Sequence, residues 1–110
     1  MKQIELLKNF TFGRVPQGEK NREVAEIYNG ARRRIMEIVL RRGETLARHK
    51  AGEPITVFCL AGSGTFRAGR NLEEERKLEA GTLVTLEAGI EHELVAEPEI
   101  HILVTRFKND

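Results

Sequence analysis

Two stretches of this chain are apolar on both faces of any strand they form, and that narrows the fold more than any other feature. In "ITVFCL", residues 55–60, Ile55, Val57 and Cys59 alternate with Thr56, Phe58 and Leu60. In "IHILVTRF", residues 100–107, Ile100, Ile102 and Val104 alternate with His101, Leu103, Thr105 and Phe107. Such a strand must be covered twice, by its own core on one side and by a second layer or a second subunit on the other.

Period-two patterning begins near residue 22, in "EVAEIYNGARRRIMEIVLRRG". Asn29-Gly30 separates two runs of β-formers there, which predicts a hairpin whose turn residues take positive φ. In its second arm Met36, Ile38 and Leu40 share one face, and Ile35, Glu37 and Val39 the other. Short strands divided by glycine turns at roughly 8–12-residue intervals indicate an all-β sandwich or barrel. Gly62, Gly64, Gly81 and Gly89 are each expected at φ > 0. "LEAG" occurs at residues 78–81 and again at 86–89, and reads as successive strand ends.

Residues 70–81, "RNLEEERKLEAG", carry helix-like signals: an Asn that could cap, good helix formers and a terminal glycine. Leu72, Leu78 and Ala80 make no helical stripe, however, so the segment is expected to be the turn and return strand of a hairpin, with "LEEER" as surface charge. Before residue 22, "IELL" is an expected edge strand, "GRVPQGEKN" an expected loop, and "GEKNREVAEIYNG" could hold a short helix.

The chain has 110 residues, enough for one core and one domain. Lys and Arg number 18 against 17 Asp and Glu, so the overall field of a nucleic-acid-binding module is lacking and no nucleic acid partner is expected. Arg32 to Arg34 read as a solvated face or a rim for an anionic ligand. No segment approaches the ~20 apolar residues of a membrane helix, and "MKQIELLKNF" lacks the apolar run of a signal peptide. With a single cysteine, a cytoplasmic location and no membrane partner are expected.

The histidines carry the chemistry. Gly43 is followed by five residues and His49, and Gly62 lies thirteen residues beyond that; Gly81, Gly89 and His92 repeat a similar spacing. These spacings resemble the two motifs of the cupin superfamily. Against those motifs, Ala51 stands where a second histidine is usual, Ile55 where a glutamate is, Glu87 where a proline is, and Ala96 where an asparagine is. The resemblance covers about residues 31 to 107. It implies a double-stranded β-helix, or jelly-roll barrel, over that stretch, with residues 1–30 as an arm and first strands. It also implies that His49 and His92 face the barrel interior near its mouth, and that small members pair as homodimers, often exchanging an amino-terminal strand, for which "QIELL" would serve. The residues themselves point to a dimer through Ile35, Val39, Phe58 and Leu60, outward apolar groups that a lone chain would leave as a patch.

Imidazoles bind Zn, Ni, Fe or Mn, but a stable centre needs three or four protein ligands. The candidates for a third are Cys59, His101, and Glu44 or Glu53 folding over the mouth. Cys59 otherwise reads as a small hydrophobe. With weak or no metal, His49 and His92 would sit in a pocket made apolar by Met36, Ala51, Ile55, Val57 and Cys59, suited to a small, partly hydrophobic ligand that is anionic or hydroxylated. The expected function is therefore small-molecule binding in the barrel. The alternatives are a metal-dependent dioxygenase or isomerase with a nonstandard ligand set, and a non-catalytic sensing or interaction barrel.

Overall fold

The computed structural model describes residues 3–108, and every regular element in it is a strand. In chain order these are β1 (Arg22–Asn29), β2 (Arg33–Leu40), β3 (Thr45–Lys50), β4 (Ile55–Ala68), β5 (Glu74–Glu79), β6 (Leu83–Leu86) and β7 (Glu91–Phe107). All pairings are antiparallel.

The two stretches apolar on both faces lie in the two longest strands, β4 and β7, and these run through both layers of the molecule. Ile55–Phe58 of β4 pairs with β6 and with the end of β7, which in turn pairs with β2 and through it β1. After a corner, residues 64–68 of β4 pair with β5 and with the start of β7, which carries β3 on its other edge. One layer is thus β1-β2-β7-β4-β6 and the other β3-β7-β4-β5, folded face to face on a common core. Ile38, Leu40, Ile55, Val57, Cys59, Phe66, Leu78, Leu94, Ile100 and Ile102 fill it.

Register shifts at Cys59/Ala61 and Gly62/Gly64 make the corner. The extra residue, Leu60, changes the parity of β4, because one inserted residue turns every later side chain to the opposite face. The inward set is therefore odd before the corner (Ile55, Val57, Cys59) and even after it (Phe66, Ala68). Two glycines let the strands cross here. Gly62 has φ +77°, and a Cβ on it would lie 2.2 Å from the Glu99 carbonyl oxygen. Gly64 is not at positive φ, contrary to expectation; its requirement is space, since a Cβ would meet the Val95 carbonyl oxygen at 2.6 Å.

The β1-β2 hairpin forms, but by a different turn from the one the Asn-Gly pair predicts. Neither Asn29 nor Gly30 has positive φ; residues 30–32 make a three-residue loop, closed by the Gly30 N–H donating to the Arg33 carbonyl. Residues 70–81 make a turn and a return strand, as expected, with Gly69 and Leu72 at positive φ. Residues 4–7 form no strand, and no helix occupies residues 18–30; β1 does.

The outer face also differs from expectation. Val39 and Leu60 are buried within the single chain, and only Ile35 and Phe58 remain half-buried. The amino-terminal segment contributes, its Gly13 N–H bonding the Leu60 carbonyl. Further along, the buried Arg41 guanidinium donates to the carbonyls of Pro16 and Lys20 and pairs with Glu23. That cation shapes the loop before β1, because a peptide wrapped round a guanidinium satisfies its donors without a second buried charge.

Candidate functional site

At the end of the molecule opposite the corner the layers part. Ile55, Leu86 and Arg106 stand at this end of one layer, and Ala68, His92 and His49 at this end of the other. Between them lies a cavity of about 120 Å³. Of the residues expected to form a pocket, His49, His92, Met36, Ala51, Ile55 and Val57 line it.

The imidazoles meet because β3 and β7 pair His49 directly opposite His92. Their ring centroids are 4.2 Å apart, edge to face, and Phe66 stacks on the other side of His92 at 5.7 Å. His92 is buried, whereas His49 is exposed at the rim. Each ring is oriented by the backbone two residues earlier: His49 Nδ1 lies 2.8 Å from the Ala47 carbonyl oxygen, and His92 Nδ1 lies 3.0 Å from that of Ile90. A carbonyl oxygen has no proton to give, so each Nδ1 carries the hydrogen and donates it. In the neutral ring Nε2 then keeps a lone pair. The His92 ring is held below the usual imidazole range, chiefly by burial, against the opposing pull of the Ile90 carbonyl and reinforced by His49. It therefore favours the neutral, accepting form.

The other candidates stand elsewhere. Cys59 faces inward but is fully buried in the core beyond the cavity, its Sγ 3.5 Å from the Ala61 carbonyl oxygen, and burial pushes its thiol up. On β7 the inward residues are even-numbered, which turns His101 to the opposite face. There its Nε2 meets the Glu37 carboxylate at 2.8 Å and its Nδ1 is buried without a partner. Glu53 accepts from Arg106 Nε at 3.0 Å, and Glu44 accepts from the Thr45 amide. Among the described residues no three His, Cys, Asp or Glu side chains converge, so the residues at the histidine pair do not fit a metal held by three protein ligands. None of the four proposed third ligands joins the pair.

Phe66, Leu46, Leu94 and Arg106 also line the cavity and went unnoticed in the sequence. Arg106 shares the parity of Ile102 and Val104, but both faces of β7 are apolar in sequence, so only the fold decides that this face is the inward one. Phe66 was not legible either, because its facing depends on the bulge at Leu60.

No family model matches the sequence, and no curated protein matches it either. Solved structures do. A cupin superfamily protein from Desulfitobacterium hafniense superposes with a TM-score of 0.77 at 12% identity, over 86% of this chain and 84% of that one. An RmlC-like cupin family protein with a double-stranded β-helix fold, from Methanocaldococcus jannaschii, gives 0.74 at 18% identity over 96% and 93%. The fold is a cupin barrel. KdgF from Halomonas sp. shares it, with a TM-score of 0.71 at 14% identity over 86% and 87% of the two chains. At these identities the likeness establishes the architecture alone, since one barrel hosts many chemistries. Within this cupin barrel the histidine pair occupies the open end.

Proposed function

We propose that the protein binds a small, mostly apolar molecule bearing a hydroxyl group in its barrel, with weak or no metal. The observation that carries this reading is a small apolar cavity lined by the buried His92 ring, whose Nε2 keeps a lone pair while its Nδ1 is held by the Ile90 carbonyl. About 120 Å³ is slightly below the ~150 Å³ that admits a benzene ring, so the occupant is of roughly phenol size, or is one end of something longer. A hydroxyl donating to His92 Nε2 would be fixed in orientation, and Met36, Ile55 and Val57 would cover its apolar body. Arg106 is paired with Glu53, and the one other charged lining residue, Lys50, is exposed at the rim, so the cavity's inner wall is apolar apart from His92. Two imidazoles without a third ligand support the weak-or-no-metal part of the reading.

The test is a titration with phenol followed by the side-chain resonances of His92 and Ala51. Saturable shifts at both, lost in His92→Phe and weaker for benzene, are expected. Phenol leaving both unchanged at millimolar concentration would overturn the proposal. Elemental analysis after growth in metal-replete medium should find well under one transition metal per chain; a stoichiometric metal lost on replacing both histidines by alanine would instead favour the metalloenzyme. A homodimer forms part of the same proposal, supported by the exposed Ile4, Leu6 and Phe12 of the amino-terminal segment. A species of ~12.5 kDa in gel filtration at micromolar concentration would contradict it.

A further inference from the structure

The barrel is open along one side as well as at its end. On this side β5 and β6 are the edges of the two layers, and among the described residues each pairs with β4 alone. Between them lies a cleft of about 610 Å³, within the ~300–1,000 Å³ typical of small-molecule sites. Its floor is Phe66, Ala68, Val84, Leu86 and Ile90, inward residues that a closed barrel would have covered. On the β5 side the register sets Arg76 beside Phe66 and Glu74 beside Ala68, so two charged residues hold positions that face inward. They close on each other at 3.1 Å and stay exposed.

The rest of the rim is cationic. Glu91 is its other carboxylate, and Arg48, Lys50 and Arg70 all act on it, holding it below the usual carboxylate range. Glu73 adds a second carboxylate in the turn beside Gly69, so three cations against two carboxylates leave a modest local excess of positive charge. The arrangement is anchored: Arg48 bonds both the Glu91 carboxylate and the Arg70 carbonyl, and the Gly69 N–H donates to the Glu91 carbonyl. An apolar trough beneath a cationic rim is complementary to a molecule with an apolar body and an anionic end.

We propose that this cleft is a binding site for an amphipathic organic anion, an aryl or alkyl carboxylate, with its body on Phe66, Val84 and Leu86 and its charge at Lys50 and Arg70. The cleft is separate from the histidine cavity, although Phe66 and Lys50 border both. The probe is 2-naphthoate, titrated into the full chain by calorimetry and followed by the methyl resonances of Val84 and Leu86. Saturable binding is expected, with shifts at those methyls, about two- to fivefold weaker binding in the Arg70→Gln variant, and about tenfold weaker binding of the neutral analogue 2-naphthalenemethanol, which loses both cations. Val84→Asp, which puts a carboxylate in the floor, should abolish it. Ala51→Leu, which fills the histidine cavity alone, should leave naphthoate binding intact while blocking phenol, so the two sites fail independently. No binding at millimolar naphthoate, equal affinity for the neutral analogue, or shifts confined to Ala51 and His92 would each overturn the proposal. In that case the inward charges on β5 serve only to keep an open edge from pairing with another chain.

Discussion

Replacing Gly62 by alanine tests the corner that gives both strands their second role. Two costs are predicted. An alanine at φ +77° pays the left-handed penalty of about 1–2 kcal/mol. Its methyl would also stand 2.2 Å from the Glu99 carbonyl oxygen and 2.9 Å from the Ile100 Cα, both backbone atoms of the facing strand, so no rotamer change relieves the contact. Overpacking of that kind costs about 1–3 kcal/mol more. Gly81 separates the two terms, because it has φ +92° with nothing within 4 Å of an added methyl: Gly81→Ala should lose the backbone penalty alone. Gly52→Ala meets nothing and needs no positive φ, and should be neutral or gain up to about 1 kcal/mol. With a urea m-value of about 1.5 kcal/mol/M, a loss of about 3 kcal/mol lowers the midpoint of Gly62→Ala by about 2 M, roughly twice the change in Gly81→Ala. Equal midpoints for those two variants would refute the close crossing of β4 and β7.

Cys59, fully buried and with its thiol pushed up by burial, should resist a thiol reagent at pH 8 in the native protein and react at once in denaturant; fast native labelling would place it at the surface. Because the His92 ring lies below its ordinary value of 6.5, the unfolded chain binds the proton more readily, so stability should be flat above about pH 6.5 and fall as the pH drops below it. The urea midpoint of His92→Gln should decline less over that window, and parallel curves would count against a buried neutral ring. Arg41→Met removes the donors that hold the Pro16 and Lys20 carbonyls, costing about 2 kcal/mol or more, and should speed amide exchange in residues 17–21 while leaving β4 protected. Glu37→Ala strands the buried His101 imidazole without a partner and should cost about 1–3 kcal/mol, read from the denaturation midpoint.

Much of the architecture is local and was legible in the order of residues. Alternation of apolar groups located the strands, and glycines marked their reversals, because a pleat sends neighbouring side chains to opposite faces whatever the tertiary context. The facing of His49 and His92 at the barrel mouth came from motif spacing, and that spacing works only through the register of β3 on β7. What the chain alone could not reveal depends on single insertions and long-range contacts. The bulge at Leu60 reversed the parity of β4 beyond it, turning Phe66 toward the cavity; Cys59, before the bulge, keeps its inward facing but lies deep in the core, out of reach of the histidines. The even parity of β7 sent His101 to the other face, away from the pair for which it was one candidate third ligand. The burial of Val39 and Leu60 arose within one chain, and the gap between β5 and β6 turned charges that read as ordinary surface into the rim of a cleft. Periodicity and glycine spacing determined that this chain is an all-strand sandwich or barrel, and the motif resemblance chose the barrel. Only the tertiary structure decided which groups share its interior, because one extra residue in one strand exchanges inside for outside at every position that follows.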